Sequence, residues 1–146
     1  MTYYSGLSTY SVCLAFLIAE LNGLDIMVCG VGDLYLNSTF GVDVLFAAGP
    51  DRGPEKTGKV VVMLRALYGL NSTGAACITM FSETLRDSYF VPTVSYPYFY
   101  HRQSRNPNGE DFYEFILVYV DDVLCCLHNH HLIIDVLALT YDLKDG

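Results

Sequence analysis

The chain has 146 residues, of which 52% are hydrophobic and 16% are charged, and its formal net charge is −8. This length fits one domain, and the high hydrophobic fraction excludes intrinsic disorder. Eight Lys and Arg against sixteen Asp and Glu argue against a self-sufficient nucleic-acid binder, because basic side chains supply most of the affinity for phosphates. The low charged fraction predicts exposed apolar surface. The acidic balance is compatible with a metal site built from carboxylates.

Neither the cysteines nor the apolar runs indicate export. The five cysteines lack framework spacing, which predicts reduced intracellular thiols. The longest apolar run, from Val12 to Ala19, is too short to span a bilayer. The first six residues contain no Lys or Arg, so they lack the charged region of a signal peptide. We expect an intracellular protein, cytoplasmic or nuclear, that is not secreted and does not bind membranes.

The first half of the chain predicts one helix followed by short strands. Apolar residues at i, i+3, i+4 and i+7 from Leu14 predict a helix over Ser11–Asn22, with Ser11 as the N-cap. The apolar run 24–29 predicts a buried strand. Glycines and prolines over 41–58 predict loop or turn. The β-branched run 59–64 predicts a second strand.

The second half predicts a helix, a hairpin and a final helix. Ser72 or Thr73 is the expected cap of the helix, whose apolar face is formed by Ala76, Cys77, Met80, Phe81, Thr84 and Leu85. The run 106–109, Asn-Pro-Asn-Gly, predicts a turn. The apolar runs 112–120 and 123–127 predict a hairpin around Asp121 and Asp122, and 132–139 predicts the last helix. Together these elements predict an α+β domain with a small, mainly antiparallel sheet.

The carboxylate pair Asp121 and Asp122 is the sharpest chemical signal in the sequence. Apolar strand residues flank it on both sides, and desolvating two adjacent like charges is costly unless a cation neutralises them. A divalent ion with oxygen ligands, Mg²⁺ above all, fits this requirement. The alternative is an exposed hairpin tip, where Asp is a common turn residue.

The tetrapeptide from Tyr119 to Asp122 resembles the YxDD box of reverse transcriptases, here as a YVDD motif. Two further runs narrow the resemblance to copia-type retrotransposon reverse transcriptases. The run 66–70, ALYGL, is similar to a motif of that family, and the run 30–37, GVGDLYLN, is similar to its first catalytic strand. The three motifs occur in the family's order, and matches to the family extend over essentially the whole chain.

The resemblance implies a reverse-transcriptase palm, a ferredoxin-like antiparallel sheet backed by helices, with part of the fingers. The early fingers, thumb and ribonuclease H are absent from the matched region, so the resemblance implies a polyprotein fragment comprising residues 1–146. We expect the strand 24–30 to pair with the hairpin of Asp121 and Asp122. We also expect the helices beginning at Ser11 and Ser72 to pack on a single face of the sheet.

The family's chemistry is RNA-directed DNA polymerisation by two-metal nucleotidyl transfer, with Mg²⁺ or Mn²⁺, a template-primer and a dNTP. By motif position, the resemblance assigns catalysis to Asp121 and Asp122, and metal binding to these two residues with Val31. The nucleotide-binding residues that it implies are Asp33, Leu34 and Tyr35. The implied template and nucleotide pocket consists of Leu67, Tyr68, Gly69, Leu70 and Tyr119.

Gly30 stands where the family has its first catalytic Asp. Glycine has no side chain, so the resemblance implies weakened metal binding and a loss of roughly a thousandfold or more in rate. The chain is therefore expected to be an inactive, decayed polymerase. The alternative is a non-catalytic α+β module that binds a partner or a metal.

A second metal site is suggested by His128, His130 and His131 near Cys125 and Cys126. Their spacing matches no common zinc pattern, so exposed turn histidines are the favoured interpretation. Tyr96, Tyr98, Phe99 and Tyr100 could stack on bases. With little cationic support nearby, packing in the sheet or core is favoured for these aromatic residues.

Overall fold

A computed structural model describes residues 7–32, 34, 39–65 and 71–145. The α-helices of ten residues or more in these ranges are α1 (Thr9–Asn22), α2 (Asn71–Arg86) and α3 (His131–Thr140), and a short 3₁₀ helix spans Pro50–Arg52. The strands are β1 (Asp25–Gly32), β2 (Thr39–Ala47), β3 (Val60–Arg65), β4 (Val91–Pro92), β5 (Phe99–Arg105), β6 (Asp111–Tyr119), β7 (Asp122–Leu127) and β8 (Asp142–Asp145).

The main sheet has six strands in the order β4-β5-β6-β7-β1-β8, and every neighbouring pair is antiparallel. The strands β2 and β3 form a separate antiparallel hairpin. The predicted α+β class with an antiparallel sheet is confirmed. The expected pairing of the first strand with the acidic hairpin is also observed, because β1 lies between β7 and β8.

The helices cover both faces of the sheet. Side chains of a strand alternate between its faces, and in β6 Ile116 and Val118 join a core with α2 and α3. The intervening residues Phe115 and Leu117 pack instead with Ala15 and Ala19 of α1. The expectation that the first two helices share one face is therefore wrong, because alternate residues of β6 are apolar on both sides.

Helix α1 begins earlier than predicted. Ser8 is its N-cap and accepts a hydrogen bond from the backbone N–H of Ser11 at 3.2 Å, so Ser11 lies in the first turn. The helix ends at Gly23, which adopts the left-handed conformation with φ 61° that glycine tolerates.

The prediction of loop over 41–58 is wrong for its first part, because β2 extends to Ala47. Its residues 44–47 pair one after another with the β-branched strand β3, from Ala47 opposite Val60 to Val44 opposite Met63. The strand predicted at 59–64 is confirmed as β3. The turns that follow β2 use positive φ at Gly53 and Gly58.

Helices α2 and α3 confirm the predicted second and third helices. Cys77, Phe81 and Leu85 of α2 are buried, as their spacing predicts, although the helix already begins at Asn71 and not after Ser72 or Thr73. The 106–109 turn joins β5 to β6, with Gly109 at φ 85°. Tyr98 and Tyr100 are buried in the core and Phe99 packs against it, as expected, whereas the expectation is wrong for Tyr96, which is exposed in the loop before β5. No helix in the described ranges is both long and apolar enough to cross a membrane.

Candidate functional site

The acidic pair lies at the turn between β6 and β7. Tyr119 pairs with Asp122, so Val120 and Asp121 form the turn itself and Asp122 begins β7. Val120 has φ 55°, a conformation that a β-branched residue rarely adopts. Backbone outliers of this kind cost of order 1–3 kcal/mol and concentrate at functional sites. The strain at Val120 therefore supports this turn as a candidate functional site.

Gly30 lies directly opposite Asp122 in the β1–β7 pairing. A Cβ atom at position 30 would be 4.0 Å from Oδ1 of Asp122, and its nearest neighbour would be the Cβ of Lys144 at 3.5 Å. Both distances are ordinary van der Waals contacts. Position 30 can therefore carry a side chain, and a carboxylate placed there would stand beside that of Asp122.

A backbone hydrogen bond fixes the acidic turn on β1. The N–H of Val31 donates to the carbonyl oxygen of Asp121 at 2.6 Å. The side chain of Val31 is fully buried in the core. Of the groups that Val31 offers, only its carbonyl oxygen could serve as a metal ligand.

The two aspartates lie in different surroundings. Asp121 is half-buried on the side of α2. Burial raises the pKa of the Cys77 thiol on that helix, and the negative charge of Asp121 raises it further, to about 12. Asp122 is exposed and lines a cleft on the α1 side of the sheet. Both carboxylates are thus held by one tight turn, with Asp122 accessible to solvent.

The cleft beside Asp122 has a volume of about 420 Å³. Its polar groups are Thr9, Tyr119 and Asp122, and Val28, Leu117 and Leu124 supply part of its apolar wall. An open, largely apolar cleft with a few polar groups is the usual form of a small-molecule site. Tyr119, a predicted pocket residue, therefore lies in the same cleft as the predicted catalytic Asp122.

The donor set does not fit a tightly bound Mg²⁺. No group of three or more His, Cys, Asp or Glu side chains converges within the described ranges. Position 30 supplies no side chain, and Val31 offers only a backbone oxygen. Two neighbouring carboxylates without a third do not make the oxygen-rich shell that Mg²⁺ prefers.

Most of the predicted nucleotide and template contacts fall on residues 33, 35 and 66–70. These positions lie outside the described residues. They are Asp33, Tyr35 and the ALYGL run, which contains Leu67, Tyr68, Gly69 and Leu70. Leu34 is described, and its side chain is fully buried in the core beneath the sheet. Any contact of Leu34 with a nucleotide would therefore have to use its backbone.

The histidines near the end of β7 form no described metal centre. His128 and His131 are exposed, whereas Cys125 and Cys126 are buried. His130 lies with Nδ1 3.9 Å from Oδ2 of Asp25, a distance too long for a hydrogen bond.

Lys144 is a site neighbour that the sequence alone did not suggest. It lies opposite Gly30 on β8, on the other side of β1 from Asp122. The four residues of β8 carry little pattern, and only the pairing with β1 brings Lys144 close to the acidic turn. Lys144 therefore places a cationic side chain on the strand next to position 30.

No protein-family model, curated protein or solved structure matches the chain.

Proposed function

We propose that the chain is a fragment of a copia-type retrotransposon reverse transcriptase and that it is catalytically impaired. In this proposal the six-stranded sheet corresponds to the palm, with its ferredoxin-like arrangement of strands and helices, and the β2–β3 hairpin corresponds to part of the fingers. Its ancestral partners were the template-primer, a dNTP and the remainder of the polyprotein.

One observation supports the proposal above the others, namely the position of Gly30 opposite Asp122. Two-metal polymerisation requires carboxylates from different strands to converge on the ions. The motif resemblance identifies position 30 and the pair Asp121 and Asp122 as the family's catalytic positions, although they are about 90 residues apart in the sequence. Position 30 and Asp122 are neighbours in the sheet, an adjacency that a polymerase palm requires and that unrelated strands need not produce.

Loss of the carboxylate at position 30 accounts for the expected impairment. Asp121 and Asp122 alone would leave a metal ion without a third carboxylate, and within the described residues no other such side chain joins them. We expect no template-dependent dNTP incorporation above background by the purified protein with Mg²⁺ or Mn²⁺.

A second candidate function is that of a partner-binding module. One separate feature favours it, the exposed apolar face of α1.

The proposal is tested by rebuilding the missing carboxylate. Gly30→Asp should place a third acid beside Asp122, which destabilises the metal-free protein through repulsion between like charges. Added Mn²⁺ or Mg²⁺ should reverse this loss, because a ligand that binds only the folded state stabilises it. At a metal concentration of about ten times Kd the stabilisation is about 1.4 kcal/mol, or about 4 °C in Tm.

Gly30→Asn is the matched control, because it has nearly the same volume and no charge. Thermal melts of the parent, Gly30→Asp and Gly30→Asn are compared in EDTA and in metal. Only Gly30→Asp should gain the additional metal-dependent stability. Equal gains in the two variants would show that residue 30 and Asp122 do not form a metal site and would contradict a polymerase origin.

A further inference from the structure

The outer face of α1 carries four large apolar side chains that remain exposed. Tyr10, Leu14, Leu17 and Leu21 are 88, 53, 55 and 74% exposed, respectively. They lie on the side of the helix opposite Ala15 and Ala19, which are fully buried against the sheet. We call these four residues the α1 stripe. Exposed contiguous apolar surface of this kind marks an interaction site.

The spacing of the α1 stripe specifies the shape of its partner. The four residues follow one another at intervals of four, three and four, which is the alternation of the a and d positions in a coiled coil. Side chains at these positions pack as knobs into the holes of another helix. The stripe therefore fits an α-helix, rather than a flat sheet or an extended peptide.

The helix that presents the stripe is already formed and held in place. Ser8 caps its N-terminus, Gly23 ends it, and Ala15 and Ala19 fix its inner face to β6 and β7. An isolated helix of this length would be marginal in water. Because packing on the sheet has already ordered α1, pairing with a second helix does not have to offset the entropy lost when a helix forms.

The charges of α1 favour an antiparallel partner of the same sequence. Glu20 is the only charged residue between Thr9 and Asn22, so the two paired helices add little to the repulsion between two chains that each carry a net charge of −8. In an antiparallel pair, Glu20 of each copy lies toward the N-terminal half of the partner helix, where the helix dipole favours negative charge. A parallel pair instead aligns the two dipoles and places the Glu20 residues at the same end.

We propose that the chain forms a two-fold symmetric dimer through antiparallel pairing of α1 with α1 of a second copy. The stripe is self-complementary, as an isologous interface requires, because Tyr10 then meets Leu21 of the partner and Leu14 meets its Leu17. The 14-residue helix is about 21 Å long, so the interface is below the standard size and we expect a weak dimer, with a Kd on the order of 10 µM. This proposal is independent of the polymerase ancestry.

The dimer is tested by sedimentation velocity on the full chain, at concentrations up to about 200 µM. The parent should shift from monomer to a discrete dimer as its concentration rises. Leu14→Glu combined with Leu17→Glu should weaken dimerisation about a hundredfold or more, because four carboxylates then face the apolar seam. Leu139→Glu is the matched control, since Leu139 is an exposed leucine on α3, and it should dimerise like the parent.

Circular dichroism and thermal melts establish that the double variant remains folded. If it does not, Leu17→Lys alone replaces it, with the same expected loss of dimer. A parent that stays monomeric at about 200 µM, or a dimer that survives these substitutions, would overturn the proposal. Larger aggregates that persist in the variants would equally overturn it, because they would arise from other surfaces.

Cross-linking tests the antiparallel orientation. In a Cys13→Ser background, chains with Tyr10→Cys are mixed with chains with Leu21→Cys and oxidised mildly. A mixed disulfide dimer is expected, because positions 10 and 21 of opposite copies are adjacent in the antiparallel pair. Efficient cross-linking of Tyr10→Cys chains with one another would show a parallel pair and contradict the proposed arrangement.

Discussion

The carboxylate of Glu114 accepts two hydrogen bonds from the guanidinium of Arg102, at 2.9 Å from Nε and 2.6 Å from Nη2. Glu114 is 2% exposed, and its other oxygen accepts the backbone N–H of His128 at 2.9 Å. Arg102 also donates to the carbonyl of Ser88 and lies over the ring of Phe90. The pair thereby joins β5, β6 and the end of β7 to the segment after α2.

Glu114→Gln should destabilise the protein by about 2–4 kcal/mol, because it leaves the partly buried Arg102 without its counter-ion. Asp111→Asn is the matched control. Asp111 pairs with Arg105 across the same two strands, but that pair is exposed and its loss should cost less than about 1 kcal/mol. Urea denaturation of both variants measures the difference, and equal losses would contradict a structural role for the buried pair.

Gly30 and Gly32 should respond oppositely to alanine. At Gly30 an added Cβ has only ordinary contacts, whereas at Gly32 it would lie 2.9 Å from the carbonyl oxygen of Asp142. Gly30→Ala should be neutral or stabilise the strand by up to about 1 kcal/mol. Gly32→Ala should destabilise it by about 1–3 kcal/mol, because backbone atoms must move. Chemical denaturation checks this, and a tolerated Gly32→Ala would refute the close approach of β8.

The turn residue Val120 should be replaceable with a gain in stability. Its φ of 55° suits glycine or asparagine far better than a β-branched side chain. Val120→Gly should relieve this strain and raise the free energy of unfolding by up to about 1 kcal/mol, after the entropic cost of glycine in the unfolded chain. Val91→Gly is the control at an exposed strand residue and should not stabilise. A loss of stability in Val120→Gly would contradict strain at this turn.

One thiol should react rapidly in the native protein. Cys13 is exposed, whereas Cys29, Cys77, Cys125 and Cys126 are buried. Burial raises the pKa of Cys77 to about 12 and that of Cys126 to about 11, so near pH 8 these two thiols carry almost no reactive thiolate. Counting the thiols modified by an alkylating reagent, with Cys13→Ser and the denatured protein as controls, tests this expectation. Rapid labelling of Cys77 in the folded protein would contradict the packing of α2.

The elements with strong periodicity could be predicted, and those without it could not. The spacing of Cys77, Phe81 and Leu85 identified the inner face of α2, because polar residues occupy much of its outer face. Helix α1 is apolar around most of its circumference, so the leucines did not reveal that the small Ala15 and Ala19 face the sheet. The long-range pairing that creates β8 left no local signal.

The candidate site could be predicted only in part. The acidic turn was evident from two carboxylates between apolar strands, and the motif resemblance selected Gly30 as its neighbour. The turn itself falls on Val120 and Asp121 rather than on the two aspartates, because the register pairs Tyr119 with Asp122. The proximity of Lys144 depends on the pairing of three strands and could not be inferred from composition or spacing.

Direct measurement of Mn²⁺ binding tests most sharply whether position 30 and Asp122 are the remains of a metal site. Titrations followed by electron paramagnetic resonance are compared for the parent, Gly30→Asp, and Gly30→Asp combined with Asp122→Asn. Gly30→Asp should bind one Mn²⁺ at least about tenfold more tightly than the parent, and Asp122→Asn should abolish that gain. Equal affinity in the parent and in Gly30→Asp, or a gain that survives Asp122→Asn, would contradict the account.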